Sequence, residues 1–490
     1  MAMWKVVYDG KTPPLGKAVA PDERLSWGRT VGFGAQHVVA MFGATFVFPI
    51  IMGLSPQLAI MMSGIATICF LLIVQGKVPS YLGTSASFVG GATAIYTYKS
   101  GPGGPADVTG AILVSGVVLA IIGVLIHYIG TEALHRVLPP VVTGAVVMLI
   151  GFNLAPVVAN TYWPQDQWVA LLTMTFVILV AVGLRGFFGR IAIFLGLIFG
   201  YLVSWFFDKI FGQITSFSAS AGKVTTHWRV DWSQVKSADW IGFPRHTADG
   251  LVGNQTNLGH LNLVGWHAPA FHITFILLVL PAVIALIAEN TGHVKAVAEM
   301  TDRDLDPMIG RAIAADGVGT VIASAVGGSP TTTYAENIGV MAATRVYSTA
   351  AYFVAAIVAI IFGLSPKFGA LVSATPGGVL GGITVILYGM IGLLGAKIWK
   401  ENNVDFANPV NLVPIAAGII IAIGNTSLAI TKDFVLSGIA LGTIVALAAY
   451  HLARWVAPAE LKGDGAIIAV GHTGVHHEDD IPPEDGLHKS

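Results

Sequence analysis

Two acidic residues, Glu289 and Glu336, stand beside long apolar stretches of this 490-residue chain and could bind a polar ligand between helices. An asparagine follows each of them, as Asn290 and Asn337. Placing an ionisable side chain at membrane depth costs roughly 3 kcal/mol even on the most lenient insertion scale, so such a residue is a functional-site candidate by default. The two Glu-Asn steps therefore predict a polar binding site inside an apolar protein.

The composition predicts a membrane protein. The chain is 54% hydrophobic and only 11% charged, its mean hydropathy is +0.73, and a soluble domain carries about 25% charged residues. Most of its surface must therefore face lipid. The formal net charge of -1 argues against a nucleic-acid partner. The single cysteine, Cys69, excludes a disulfide within the chain, and residues 1–30 lack the apolar core of a signal peptide.

Fourteen apolar stretches of about bilayer length predict an all-α polytopic membrane protein. A polar interval at 209–268 separates seven stretches from another seven, and the third and tenth are short and interrupted by Gly, Ser, Thr and Pro. The predicted spans are 31–52, 58–75, 84–98, 109–130, 139–158, 167–184, 189–208, 269–288, 309–327, 335–347, 348–364, 371–396, 410–429 and 434–456.

The distribution of Lys and Arg predicts that both termini are cytoplasmic. With that orientation the short outer loops hold only Lys99, Lys367 and Lys432, which agrees with the positive-inside rule. The interval 209–268 becomes an extracytoplasmic loop whose tryptophans anchor at the interface. The tail 457–490 holds several histidines, and we expect a solvated end rather than a metal site. The inner loops hold Lys77, Arg136, Arg185, Arg190, Lys295, Arg303, Arg311, Arg345, Lys397, Lys400 and Arg454.

A weak internal symmetry points to a transporter. The segments 79–88 and 327–334 each precede a short apolar stretch, one in each half of the chain. Corresponding short spans interrupted by Gly and Pro are the best sequence indication of a transporter's binding site. Because seven spans per half is an odd number, the second half must run with opposite topology, and the repeat is predicted to be inverted.

Three motifs carry a family resemblance. They are Gln36-His37, the run Ala288 to His293, and Glu336-Asn-Ile-Gly-Val-Met-Ala-Ala-Thr-Arg345. The chain resembles the nucleobase–ascorbate transporters, and within that family the bacterial uracil permeases, over roughly residues 22–456. The resemblance implies proton-coupled uptake of a nucleobase, a homodimer, and no cofactor besides the proton gradient.

The resemblance also implies an architecture of two inverted seven-span repeats. Spans one to four and eight to eleven (31–137 and 269–364) would form a core domain. Spans five to seven and twelve to fourteen (138–208 and 365–456) would form a gate domain. Residues 1–30 and 457–490 would be a cytoplasmic arm and tail. Spans three and ten would each begin with a short extended segment and continue as a half-helix.

The chemistry of a nucleobase suits these residues. Its ring N–H groups need strong acceptors, which Glu289 and Glu336 would supply. By their positions in the family motifs, the backbone N–H groups of Ala86 and Ala335 would meet its carbonyl oxygens. The aromatic side chains nearest the site, Tyr334 and Phe88, are candidates to cover its flat faces. Alternatively, Glu336 could serve only as a helix cap and not bind the nucleobase.

Proton coupling needs a group whose proton affinity changes with conformation, and we expect Glu289 to take that proton. His293, one turn along the same helix, would be its partner, although a buried structural histidine is an equal alternative. Asp316 is expected to hydrogen-bond a neighbouring half-helix rather than to transfer protons. Supporting roles are predicted for Gln36, His37, Ser85 and Asn337.

The substrate prediction favours a pyrimidine such as uracil. Glu336 accepts hydrogen bonds from ring N–H groups, whereas purine-specific relatives tend to have Gln at this position, so a xanthine-type purine is the alternative. An anion channel or exchanger on the same fold would want cationic or neutral residues there. An enzyme would need a nucleophile–base pair or metal-ligand spacing, and the membrane-depth residues have neither.

Overall fold

The computed structural model describes residues 4–11, 13–14, 17–98, 101–130, 136–184, 187–218, 223–244, 265–430 and 435–462. The histidines predicted for the tail, and Asn254-Gln255-Thr256-Asn257 of the predicted outer loop, lie outside these ranges.

Helices account for most of the described chain, as the composition predicts. Nine of them are long and apolar enough to cross a membrane, or ten if the bent pair Thr349–Gly363 and Pro366–Ser373 is one span, within the described ranges. The protein is therefore a multi-pass membrane protein, and the count of fourteen spans remains a prediction. The main helices are α1 (Trp27–Ile51), α2 (Pro56–Ile73), α3 (Val89–Tyr96), α4 (Pro105–Ile129), α5 (Pro140–Phe152), α6 (Gln167–Gly183), α7 (Ala192–Phe211), α8 (Ala282–Thr301), α9 (Ile309–Ala325), α10 (Ala335–Thr344), α11 (Thr349–Gly363), α12 (Gly377–Glu401), α13 (Pro409–Ile423) and α14 (Gly438–Val456).

Among the described residues, eight short strands lie between or ahead of these helices and pair two by two. The strands are β1 (Lys5–Val6), β2 (Glu23–Arg24), β3 (Leu82–Thr84), β4 (Ile214–Ser218), β5 (Lys223–His227), β6 (Thr331–Thr333), β7 (Ser427–Ala429) and β8 (Val435–Ser437).

Three predicted span boundaries were wrong. The eighth stretch was expected to end at 288, but α8 continues to Thr301, so Glu289 lies within the helix and not at its edge. Hydropathy ends the span early because the helix carries its polar site residues in its second half. The last two stretches were read as continuous spans, but α13 ends at Ile423 and the β7–β8 pair precedes α14.

The helices pack in two groups that meet along α1, α5, α7 and α8. In one group α4 packs against α9, and α2 packs against α11 and α9. In the other group α12 packs against α5 and α6, and α13 packs against α14. The assignment of these groups as core and gate domains remains a prediction.

Between α2 and α3, and again between α9 and α10, the chain runs extended through the interior. Strand β3 pairs antiparallel with β6, with Gly83 opposite Thr332. Neighbouring helices satisfy further backbone groups of the two strands. Thr67 of α2 accepts from the N–H of Leu82 at 2.9 Å, and Thr320 of α9 accepts from the N–H of Thr331 at 3.1 Å. The extended segments expected ahead of spans three and ten are therefore present, and their polar backbone is paired within the protein.

The crossing requires a glycine at position 83. A Cβ atom built there would lie 2.5 Å from Thr45 Oγ1 and 2.6 Å from Tyr334 Cε2. The Tyr334 ring therefore packs directly on the Gly83 backbone. Its hydroxyl donates to the carbonyl of Thr84 at 2.6 Å and ties α10 to β3.

The N-terminal arm packs on one end of the bundle. Val19 donates to the carbonyl of Arg345, and Tyr347 donates to the carbonyl of Val19, both at 2.9 Å. The guanidinium of Arg303 hydrogen-bonds Asp22 and holds the pKa of that carboxyl below its usual value. We call this end of the protein the arm face.

The opposite end, the loop face, carries the segment predicted to be extracytoplasmic. Strands β4 and β5 form a hairpin there. Beyond the hairpin, Arg229 donates to Asp166 at 2.7 Å and to Asp208 at 3.1 Å, and all three side chains are at most 10% exposed. Asp166 also caps the N-terminus of α6. This buried cluster anchors the loop to the ends of α6 and α7.

We expect Gly83→Ala to destabilise the protein by about 1–3 kcal/mol, because the added methyl group must displace Thr45 or the Tyr334 ring. Thermal unfolding in detergent measures the change. Gly292→Ala is the matched control, since its Cβ would meet nothing within 4 Å. Equal unfolding midpoints for the two variants would contradict the close approach at the crossing.

Replacing Arg229 with Met, of similar length, should lower stability by about 3 kcal/mol, because two buried carboxylates lose their cation. The control is Lys397→Met, which breaks an exposed 3.4 Å pair with Glu401 and should change stability by less than about 1 kcal/mol. A loss no larger than that of the control would show that the Arg229 cluster does not hold the loop.

Candidate functional site

Three elements converge where the two strands cross. Helix α8 contacts the short 3₁₀ turn Ala86–Phe88 that follows β3, and it also contacts β6 and α10. The two sequence-predicted acidic residues lie on these elements, Glu289 on α8 and Glu336 in the first turn of α10. The fold thus brings residues that are 47 positions apart to one place.

Each strand ends at the start of a helical segment. Tyr334 precedes α10 without any side-chain cap, so the first N–H groups of α10, beginning with Ala335, have no partner within the helix. On the other side the hydroxyl of Ser85 accepts from the N–H of Ser87 at 3.3 Å and caps the turn that begins at Ala86. Ala335 is exposed and Ala86 is half-buried, so both backbones are accessible at the crossing.

The two glutamates are less buried than the asparagines that follow them, and their carboxyl groups are close enough to interact. Glu289 and Glu336 are half-buried, whereas their neighbours Asn290 and Asn337 are fully buried. Glu289 lies within electrostatic reach of Glu336 and of Asp316. The carboxyl of Glu336 also lies against its own backbone N–H, as expected of an acidic residue in the first turn of a helix. Capping and ligand binding are compatible at this position.

A buried chain of hydrogen bonds runs behind Glu289. Asn290 Nδ2 donates to Asp316 Oδ2 at 2.7 Å, and the hydroxyl of Thr333 donates to Asn290 Oδ1 at 3.1 Å. His293 Nδ1 lies 2.7 Å from the Thr333 hydroxyl oxygen. Because the single hydroxyl proton of Thr333 is directed to Asn290, His293 must donate through Nδ1. Its Nε2 then remains available as an acceptor while the ring is neutral.

This chain of hydrogen bonds differs from one expectation and bears on a second. Asp316 was expected to bond the neighbouring half-helix, but its hydrogen bond goes to Asn290 of α8. His293 was expected either to be the proton partner of Glu289 or to be a structural histidine. Its hydrogen bond goes to Thr333 of β6, and its part in proton coupling stays a prediction. The spacing along α8 could not reveal this, because the position of Thr333 depends on the register of β6 against β3.

A second polar contact ties α10 to α1. Asn337 Nδ2 donates to the backbone carbonyl of His37 at 2.9 Å and lies 3.2 Å from His37 Nδ1. The His37 ring packs on Tyr352, with ring centroids 4.2 Å apart. The side-chain oxygen of the neighbouring Gln36 is buried without a hydrogen-bond partner among the described residues.

The two aromatic candidates are both buried. The Tyr334 hydroxyl is held by Thr84 and lies 3.3 Å from Thr45 Oγ1, and its ring covers Gly83. Phe88 is fully buried in the main core cluster. Whether either ring covers a ligand stays a prediction.

The sequence analysis did not predict that Thr333 links His293 to Asn290, although the run of three threonines in β6 offered an indication.

Comparison with known proteins identifies the family. A family described as a permease family matches residues 28–431. The chain is 42% identical over 434 residues to the putative pyrimidine permease RutG of Escherichia coli (strain K12), covering 88% of this chain and 90% of the relative. It is 32% identical over 436 residues to the uracil permease of Bacillus subtilis (strain 168), covering 86% of this chain and 91% of the relative.

Solved structures share the fold at low sequence identity. The murine anion transporter Slc26a9 in the inward-facing state matches with a TM-score of 0.61 at 11% identity, over 88% of this chain and 69% of that one. The transmembrane domain of the cyanobacterial bicarbonate transporter BicA matches with a TM-score of 0.52 at 14% identity, over 86% of this chain and 96% of that one.

These matches extend over most of the chain and include the elements that carry Glu289 and Glu336. They confirm the resemblance read from the three motifs, and they indicate a transporter rather than an enzyme. The chain belongs to the permease family of nucleobase–ascorbate transporters.

Proposed function

We propose that the protein imports a nucleobase, uracil or a related pyrimidine, in symport with protons. The observation that carries the proposal is the meeting of Glu289 and Glu336 with the starts of two helical segments at one strand crossing. Carboxylates accept from ring N–H groups, and free backbone N–H groups donate to ring carbonyls. The names of the pyrimidine and uracil permeases among its relatives support the same substrate class.

The magnitudes are adequate for a transport site. A hydrogen bond to a charged group contributes about 1.5–3 kcal/mol, so two carboxylates supply roughly 3–6 kcal/mol. Micromolar binding needs about 8 kcal/mol. The backbone donors of Ala86 and Ala335 and the burial of the ring faces would supply the rest. A site of this kind binds a neutral ring tightly enough for capture and weakly enough for release.

The proposed architecture is fourteen segments in two inverted repeats. The packing of the helices supports it. When seven is added to or subtracted from the helix numbers of one packed pair, the result is another packed pair. The pair α4–α9 becomes α11–α2, and the pair α13–α14 becomes α6–α7. Thr67 of α2 and Thr320 of α9 satisfy the two strands in the same way and are related by the same shift.

Alternating access would then occur by movement of the core group of helices against the gate group. We further propose a homodimer in the inner membrane with both termini cytoplasmic, as the family resemblance and the distribution of Lys and Arg imply. A purine permease of the same family is the second candidate, since pocket shape as well as Glu336 decides between pyrimidine and purine. A channel or exchanger is less well supported, because two carboxylates repel anions.

Uptake of radiolabelled uracil into proteoliposomes tests the function. We expect accumulation against a concentration gradient when an inward proton gradient is imposed, and none without it. Flux in the downhill direction alone would indicate a channel, and chemical conversion of uracil would indicate an enzyme. Displacement by xanthine more effectively than by unlabelled uracil would favour the purine alternative.

Glu289→Gln should uncouple transport from the proton gradient, because the amide cannot exchange the proton. Downhill uracil exchange would persist at reduced rate, while accumulation would be lost. Glu336→Gln is the comparison variant, and it should weaken uracil binding by about 10- to 100-fold through loss of one charged acceptor. Accumulation by Glu289→Gln at the wild-type rate would contradict the assignment of the coupling proton.

Thr333→Val should alter the pH profile of uptake, because His293 loses the acceptor that orients its ring and Asn290 loses a donor. Leaving the buried Asn290 oxygen unpaired costs about 1–3 kcal/mol. Thr333→Ser keeps the hydroxyl and should retain the wild-type profile. Identical profiles for the Val and Ser variants would remove Thr333 from the mechanism.

A further inference from the structure

A second polar space lies between α3 and the helices of the other group. It is a cavity of about 250 Å³ on the loop-face side of the crossing. Gly90, Thr93 and Thr97 of α3 line one wall, and Asn153, Asn425 and Ile439 line the other. Gly90 follows Ala86 by one helical turn, and the wall runs to Tyr98, about 12 Å further along at 1.5 Å per residue. The cavity therefore lies along α3, beginning about one helical turn beyond Ala86 and running toward Tyr98.

Two asparagine amides line this cavity and lie close to the backbones of α3 and α14. A Cβ atom at Gly90 would lie 3.4 Å from Asn153 Nδ2, so the amide approaches the α3 backbone closely. A Cβ atom at Gly438, whose φ is +54°, would lie 2.7 Å from Asn425 Oδ1 and 3.6 Å from Asn153 Oδ1. Both amides therefore flank one point of the backbone at the start of α14.

The amides are free to bind a ligand. Thr93 and Thr97 direct their hydroxyls to helix carbonyls at 2.9 and 2.8 Å. Within the described part of the chain, the side chains of Asn153 and Asn425 have no hydrogen-bond partner. Each amide offers a carbonyl acceptor and an NH₂ donor side by side. That pattern matches the alternating N–H and C=O groups on the edge of a nucleobase.

The charge and size of the cavity select the same ligand class. None of its lining residues is Asp, Glu, Lys or Arg, so it favours a neutral ligand over an ion. Its volume is below the roughly 300–1,000 Å³ of sites for drug-sized ligands and suits a single small ring. The cavity is thus chemically distinct from the acidic central site, although it lies along the half-helix that follows Ala86.

We propose that this cavity is an access station, in which Asn153 and Asn425 hydrogen-bond the nucleobase as it passes between the loop face and the central site. The inference rests on the proposed function and adds two residues that govern the rate of entry. A group that holds the base only on its way changes how fast the central site fills and empties. It leaves the equilibrium affinity of that site unchanged.

Uracil uptake by Asn153→Ala and Asn425→Gly in proteoliposomes tests this assignment. Asn425 has a φ of +48°, so glycine removes the amide without straining the backbone. We expect kcat/KM to fall about five-fold in each variant, the effect of losing one hydrogen bond. The equilibrium Kd for uracil in detergent should stay within about two-fold of wild type, which also verifies that the variants are folded. Asn402→Ala and Asn403→Gly on the arm face are the matched controls, since Asn403 also has a positive φ of +50°.

The outcomes separate the two proposals. If the wild-type protein transports uracil and both variants have the wild-type kcat/KM, the access station is overturned and the proposed function stands. A Kd weakened as much as kcat/KM also overturns it, because the amides would then belong to the central site. Failure of the wild-type protein to transport any nucleobase overturns both proposals.

A labelling experiment gives an independent readout. Cys69 is the only cysteine of the chain, so a Cys69→Ser background allows one thiol to be placed at position 425 by Asn425→Cys. A membrane-impermeant thiol reagent should label that position, and saturating uracil should slow the labelling. Labelling at the same rate with and without uracil would contradict passage of the base through the cavity.

Discussion

The structure depends on one constraint: lipid cannot satisfy backbone N–H and C=O groups, so extended chain at membrane depth must be paired inside the protein. Strands β3 and β6 meet this requirement by pairing with each other, and Thr67 and Thr320 satisfy groups on their outer edges. Once the strands are paired, the helical segments that follow begin in the interior. Their first N–H groups are then available to a ligand. The start of a helix in the interior thus provides hydrogen-bond donors without any additional polar side chain.

The side chains around the crossing keep that geometry. Gly83 allows the Tyr334 ring to lie on the strand, and the Tyr334 hydroxyl fixes the start of α10. Behind the strands, the chain from His293 through Thr333 and Asn290 to Asp316 links α8, β6 and α9. Any shift of the crossing must therefore change the surroundings of His293 and Asp316.

Much of this arrangement could be predicted from the sequence, and the reason is local composition. Glycine, proline and threonine at 79–88 and 327–334 interrupt apolar stretches, so broken segments were expected there. Glu289 and Glu336 were identified because placing an ionisable side chain at membrane depth costs free energy. The partners of His293 and Asp316 could not be predicted, because they depend on the register between strands about 250 residues apart. The end of α8 was missed because its polar site residues resemble the end of a span. The β7–β8 pair was not predicted, because its residues are as apolar as those of the helices on either side.

The central claim is that Glu289 and Glu336 recognise the ring N–H groups of a pyrimidine. Displacement of bound radiolabelled uracil by 1-methyluracil and 3-methyluracil tests it most directly, since each analogue replaces one N–H group with a methyl group and keeps both carbonyls. The account predicts that both analogues bind at least ten-fold more weakly than uracil, and that Glu336→Gln reduces the penalty for one of them. Binding of both methylated bases as tightly as uracil would contradict the account.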